Sequence, residues 1–184
     1  ILRGVGLNPR RTGLLEVLRR MGADIDSGNP REVAGEPIAD LEVRHAPLTG
    51  IEVPETLVGD MIDEFPALFV AAAAARGTTR VRGAAELRVK ESDRLAVMAR
   101  GLRALGVRVE ETPDGADIAG CPDGFGSAEI VSHGDHRIAM AFAVAGALAR
   151  EPLRIIDCAN VDTSFPGFAA LARRCGLDVR AVAG

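Results

Sequence analysis

Leu14-Leu15-Glu16-Val17-Leu18-Arg19-Arg20-Met21-Gly22-Ala23-Asp24-Ile25 reads as an amphipathic helix, a stop and the start of a strand. Leu14, Val17, Leu18 and Met21 stand eight, five, four and one positions before the glycine, which is one face of a 3.6-residue period. Gly22 suits the end of that helix, where a left-handed backbone is needed. The same grammar returns twice. Before Gly106 the matching positions are Met98, Gly101, Leu102 and Leu105; before Gly176 they are Phe168, Leu171, Ala172 and Cys175. Short β-like runs follow, Val107-Arg108-Val109 and Leu177-Asp178-Val179. Generic helix-glycine-strand grammar would also produce such a likeness, but the way the chain opens in mid-unit favours a genuine repeat.

A second helix type precedes two of these units. Phe65 to Ala75 and Ile138 to Leu148 are apolar nearly all round, as helices buried on every side are. Strand-like runs follow them, Thr79-Arg80-Val81-Arg82 and Leu153-Arg154-Ile155-Ile156. Further strands are expected at Leu41 to His45 and Ala128 to Ser132. The unit is thus buried helix, strand, amphipathic helix, strand. The chain opens at what reads as the strand after a missing buried helix, without an initiator Met. The expectation is a trimmed piece holding roughly two and a half units of a three-unit domain.

Composition narrows the function classes. A chain of 184 residues with 47% apolar and 26% charged content suits one soluble globular domain. Aromatic content of 3%, with neither Trp nor Tyr, argues against stacking platforms for single-stranded nucleic acid. A net charge of −4 gives no global basic field for nucleic acid or an anionic membrane, so any anion site must be local. Cys121, Cys158 and Cys175 form no CxxC pair, which suggests neither a zinc site nor a disulfide framework and fits a reducing, cytoplasmic compartment. The apolar runs are too short to span a bilayer, and no signal peptide is visible.

Charge gathers where helices are expected to start. Asp63-Glu64 precedes one buried helix and Asp135-His136-Arg137 opens the other. Lys90-Glu91-Ser92-Asp93-Arg94 opens the middle amphipathic helix, and Thr163-Ser164 the last helix. Caps and dipole partners would account for Asp93, Asp135 and Glu64. They do not account for Lys90, Arg94 and Arg137, because a helix N-terminus disfavours cations. Lys90 and Arg94, four apart, would share a helical face. An anionic ligand between them and a solvated charged face both remain open on spacing alone. Weaker signals carry less. Gly120 to Gly126 reads as a loop without a dinucleotide or phosphate-loop fingerprint. His45 reads as structural. His133 and His136 lack a third metal ligand nearby.

Leu87-Arg88-Val89-Lys90-Glu91-Ser92-Asp93-Arg94-Leu95 resembles the RVKE[ST]DR signature of 5-enolpyruvylshikimate-3-phosphate synthases. Ile62-Asp63-Glu64-Phe65-Pro66, Gly134-Asp135-His136-Arg137-Ile138-Ala139-Met140 and Thr163-Ser164-Phe165-Pro166 follow the family's order. Asn8-Pro9-Arg10-Arg11-Thr12-Gly13 resembles the group often tolerant of glyphosate. The resemblance implies an α+β fold, the enolpyruvyl-transferase α/β prism (an inverted α/β barrel) of β-α-β-α-β-β units. Residues 1–184 would be the C-terminal one of two domains, with its first unit truncated. It implies transfer of the enolpyruvyl group of phosphoenolpyruvate to the 5-hydroxyl of shikimate 3-phosphate, a step toward chorismate and the aromatic amino acids. The route is addition and elimination, with no cofactor and no metal.

By motif matching the resemblance makes Asp63 the base at the shikimate hydroxyl and Glu91 the proton carrier at the phosphoenolpyruvate carbon. Lys90 would bind near the 5-hydroxyl. Arg94 and Arg137 would hold carboxylate and phosphate, and His136 would orient a neighbour. The partners implied are the two substrates and the missing N-terminal domain of the same protein, in a cytoplasmic monomer without nucleic acid or membrane. The isolated chain is expected to be inactive, with apolar surface exposed near Ile1. Two positions depart from the enterobacterial pattern: Ser164 stands where that form has a lysine, and Glu86 where it has an asparagine. The rivals are the sister transferase acting on UDP-N-acetylglucosamine and a non-catalytic binding module of the same fold.

Overall fold

Apolar periodicity and glycine stops lay out most of the elements in the computed structural model, which describes residues 1–182. The first unit runs β1 (Leu2–Gly6), α1 (Gly13–Arg20), β2 (Asp24–Val33) and β3 (Glu36–Arg44). Next come α2 (Phe65–Ala74), β4 (Thr78–Val81), α3 (Arg94–Ala104), β5 (Arg108–Thr112) and β6 (Gly115–Ala119). The last part holds β7 (Glu129–Val131), α4 (His136–Ala145), β8 (Arg154–Ile156), α5 (Asn160–Ser164) and α6 (Phe168–Arg174).

The repeat is visible in the strand pairing. β1-β3-β2 and β4-β6-β5 are both three-stranded antiparallel sheets in which the third strand lies between the other two. A leading segment runs parallel beside a later strand in the second and third units. Backbone bonds join Gly50 to Arg76 and Val53 to Arg80, and β7 pairs in parallel with β8. Gly22, Gly106 and Gly176 all end their helices at φ of 99°, 87° and 93°, a conformation that strains any side chain.

The buried-helix reading holds best for α2. Leu68, Phe69, Ala72 and Ala73 are buried in one contiguous core with Met98, Leu102, Ile138 and Phe142 of α3 and α4. Each fully buried large apolar side chain there contributes about 1.5–3 kcal/mol. α4 is not buried all round: Ile138 and Phe142 are buried but Val144 is exposed, as is Leu148 in the 3-10 turn that follows the helix. α1 buries Val17, with Met21 beyond its end, whereas α6 buries only Ala172 and leaves Leu171 and Cys175 exposed.

Three expectations need correction. Leu177-Asp178-Val179 is not a strand: in the other units the run after the glycine pairs with the next strand, and here none of the described residues pairs with it. Thr163-Ser164 closes α5 rather than opening the last helix, because Phe165 is extended and Gly167 is left-handed, at φ 82°, before α6 begins. Lys90 lies outside α3; Asp93 caps that helix by accepting from Ala96 N at 3.0 Å, so it begins at Arg94. Among the described residues no helix is long and apolar enough to cross a membrane.

Candidate active site

The turn before α2, the segment from a 3-10 turn (Ala85–Val89) to α3, and the start of α4 meet around one carboxylate. Asp63 Oδ1 lies 3.4 Å from Arg94 Nη1 and 3.7 Å from Lys90 Nζ; its Oδ2 lies 4.0 Å from Arg137 Nη2. Arg137 Nη1 also donates to the Asp63 backbone carbonyl at 3.0 Å. Burial alone would raise the Asp63 pKa. The field of Arg137, then of Lys90, Arg94 and Arg11, outweighs it and holds the carboxyl below its ordinary range.

Arg94 is the pivot of the cluster. It is 1% exposed, at the first position of α3, where a cation opposes the helix dipole. Three carboxylates compensate it. Nε donates to Asp135 Oδ2 at 2.9 Å, Nη1 to Asp63 Oδ1, and Nη2 to Glu91 Oε2. Asp135 is itself 0% exposed. Its Oδ1 caps α4 by accepting from Arg137 N and Ile138 N, while Oδ2 also accepts from Ser92 Oγ at 3.1 Å. Burial pushes the Asp135 carboxyl up, but the Arg94 hydrogen bond and charge, with Ser92, bring its pKa down overall. One aspartate therefore ties the starts of α3 and α4 together.

Lys90 is drawn two ways. Its Nζ donates to Glu86 Oε1 at 2.5 Å and forms the looser pair with Asp63. The Glu86 hydrogen bond is the largest influence on its ammonium and raises its pKa. Glu64, on the far side, accepts from Arg11 Nη2 at 3.0 Å, with Arg137 Nη1 at 3.8 Å. Its Oε2 is buried and has no hydrogen-bond partner among the described residues. Glu64 makes no capping bond to α2, so reading it as a side-chain cap is corrected.

Five of the six residues singled out from the sequence thus meet: Asp63, Lys90, Glu91, Arg94 and Arg137. His136, the first residue of α4, is half-buried beside them without joining the ion pairs. Thr163 and Ser164 are exposed, and among the described residues neither bonds to the cluster. Arg11 and Ser92 also belong to the cluster, as do Glu64, read from the sequence only as a cap, and Glu86, read only as a departure from the enterobacterial pattern; Asp135 does more than cap. The spacing of Glu86 and Lys90, four apart, was the one local signal available. The other pairings join residues far apart in sequence.

Chemically, the cluster combines ionised carboxylates with guanidinium forks suited to bidentate recognition of phosphate or carboxylate. Among the described residues no cluster of three or more His, Cys, Asp or Glu side chains could hold a metal ion. A cavity of about 540 Å³ lies elsewhere, between α4, β8 and α6, and includes none of the clustered residues. Its lining is mostly apolar, and the Asp178–Arg180 pair within it is exposed to solvent, so the charge cluster, with Arg94 and Asp135 buried, is the better candidate for catalysis.

The model of the EPSP synthase (3-phosphoshikimate 1-carboxyvinyltransferase) family matches residues 1–171. A 3-phosphoshikimate 1-carboxyvinyltransferase of Xanthomonas oryzae pv. oryzae is 66% identical over 181 residues, 98% of this chain and 41% of that protein. One from Xanthomonas campestris pv. campestris is 67% identical over 180 residues, again 98% of this chain and 41% of the relative. The chain therefore spans about two fifths of the length of these relatives. The solved EPSP synthase of Acinetobacter baumannii superposes with a TM-score of 0.91 at 49% identity, over 95% of this chain and 42% of that one. The enolpyruvyl transferase NikO of Streptomyces tendae, at 20% identity and TM-score 0.71 over 95% of this chain and 37% of its own, shares the fold.

Proposed function

The chain belongs to the EPSP synthase family, and from that premise we propose that the full-length protein transfers the enolpyruvyl group of phosphoenolpyruvate to the 5-hydroxyl of shikimate 3-phosphate, releasing phosphate. The observation that carries this reading is the meeting of Lys90, Arg94 and Arg137 around Asp63, all within 4.0 Å.

In this reading Asp63, kept ionised by its cations, takes the hydroxyl proton as the hydroxyl oxygen bonds to the central carbon of phosphoenolpyruvate. Lys90 steadies the charge developing on that oxygen. Glu91, whose side chain is half exposed, gives its proton to the methylene carbon. In the elimination Glu91 takes a proton back from the new methyl group, the carbon–oxygen bond to phosphate breaks, and phosphate leaves carrying the proton that Asp63 had taken from the hydroxyl. The forks of Arg94 and Arg137 hold the carboxylate and phosphate of phosphoenolpyruvate, and His136 orients its neighbour. Residues 1–184 act as the C-terminal domain of a cytoplasmic monomer whose N-terminal domain supplies the other wall of the cleft. The absence of a lysine near Ser164 supports tolerance of glyphosate; activity collapsing at low glyphosate concentration would reject that part.

The test is phosphate release by the full-length protein given phosphoenolpyruvate with shikimate 3-phosphate or with UDP-N-acetylglucosamine. Turnover is expected with the former alone. Asp63→Ala and Glu91→Ala should each lower it by about a hundredfold or more, the usual loss for an acid–base group. Turnover with the sugar nucleotide instead would move the reading to the sister transferase. Undiminished turnover in both variants would remove these residues from the chemistry.

A further inference from the structure

We propose that Glu86 is a positioning residue that holds the Lys90 ammonium off Asp63, so that a substrate hydroxyl can enter between them. The inference rests on the functional reading above and adds to it a residue with a separate task.

Lys90 follows the 3-10 turn Ala85–Val89 with an extended backbone, at ψ −159°, which leaves its side chain between two carboxylates from different segments. Nζ is 2.5 Å from Glu86 Oε1 but 3.7 Å from Asp63 Oδ1. The second separation is too long for a hydrogen bond, whose upper range is about 3.2 Å. An unopposed ammonium would close on the carboxylate to about 2.8 Å. The geometry therefore records a balance in which Glu86 takes the hydrogen bond and Asp63 is left with charge attraction alone.

The spacing matters because a hydroxyl oxygen about 2.8 Å from each of two atoms forms an ordinary triangle over a 3.7 Å base. From that point it donates its proton to Asp63 and accepts an N–H from Lys90. A direct Lys90–Asp63 contact would fill that place and weaken the base. The other cations near Asp63 are held by further partners: Arg94, besides its 3.4 Å bond to Asp63 Oδ1, by Asp135 and Glu91, Arg137 by the Asp63 carbonyl, and Arg11 by Glu64. Among the described residues Lys90 has a single side-chain hydrogen bond, to the exposed Glu86, and that bond decides how near it sits. The strong Glu86 hydrogen bond that raises the Lys90 pKa is the same restraint seen from the lysine.

The experiment uses Glu86→Gln, Lys90→Met and the double variant in the full-length protein. Glu86 is exposed, so folding should survive. With Glu86→Gln, kcat should fall about tenfold, less than on loss of the base itself, while KM for phosphoenolpyruvate stays within about twofold. Because a nearer ammonium favours the ionised carboxylate, the acid limb of kcat should move to lower pH. In the Lys90→Met background the Glu86 change should add little. Unchanged kcat in the Glu86 variant, or an equal loss without Lys90, would overturn the proposal while leaving the functional reading intact. A carboxyl carbon NMR titration of Asp63 needs no turnover. Its pKa should drop in Glu86→Gln and largely recover in the double variant. An unmoved Asp63 pKa overturns the proposal even if the protein proves to act on another substrate.

Discussion

Arg94 has its charge neutralised before any ligand arrives. Its guanidinium and the Asp135 carboxylate are both withdrawn from water, so each is tolerable only because the other is present. Removing either leaves a buried charge short of its main partner. Arg94→Ala and Asp135→Ala should each destabilise the chain by about 3–5 kcal/mol, read as a lower urea midpoint. Acid should show the same dependence. Asp63 and Asp135 both have folded-state pKa values below the ordinary one. An aspartate of this kind contributes stability that is complete above its unfolded value, about 3.9, and is lost as pH falls through the folded value. Urea midpoints should therefore decline below about pH 4, and less steeply in Asp135→Asn, which has one such group fewer. The residue types of the site were legible in the sequence, since cations at helix starts needed an explanation. The pairings were not. Nothing local tells Asp135 that Arg94, 41 positions away, will reach it, and a capping role already sufficed to explain the aspartate.

At the level of elements, the crossing of α3 and α4 is set by one missing side chain. A Cβ on Gly101 would lie 2.2 Å from Phe142 Cζ, so the glycine lets the buried ring lie against the helix. Gly101→Val should cost about 1–3 kcal/mol through overpacking. Phe142→Leu in the same molecule should recover part of that loss, since neighbouring sites couple. Thermal melting of the two single variants and the double variant decides it; strictly additive losses would mean the ring and the helix are not in competition. This crossing also carries Arg94 and Asp135 at the helix starts, so the packing and the charge cluster share one geometry. Elements whose apolar residues obey a period were read correctly, as were the glycine stops. The β2–β3 hairpin was missed in large part because β2 is exposed along most of its length, so Asp26 to Glu32 show no alternation to read. The bulge near Asn29, at φ 51°, breaks its register further. The end of the third unit was read by analogy with its siblings, and there the analogy failed: α6 buries a single residue, and among the described residues 177–179 pairs with no strand.

For the molecule as a whole, the site's own carboxylates limit what this chain does alone. Lys90, Arg94 and Arg137 already face Asp63, Glu64, Glu86, Glu91 and Asp135, so an incoming phosphate must displace a carboxylate or gain donors from elsewhere. Since this chain spans about two fifths of its relatives' length, the further donors are expected, on the proposed reading, from the rest of the full-length protein. If the proposed reading holds for the full-length protein, the 184-residue chain by itself should release no phosphate from phosphoenolpyruvate and shikimate 3-phosphate. It should also bind inorganic phosphate weakly, without measurable stabilisation in a thermal shift at concentrations that protect the full-length protein. Apolar side chains at Ile1, just before β1, and Leu2, its first residue, are 79% and 55% exposed and should promote self-association that sedimentation would detect. Supplying the separately expressed remainder of the protein should restore turnover if the two parts dock. Activity of the isolated chain would instead mean that the cations around Asp63 release their carboxylates unaided, and that one wall of the cleft is enough.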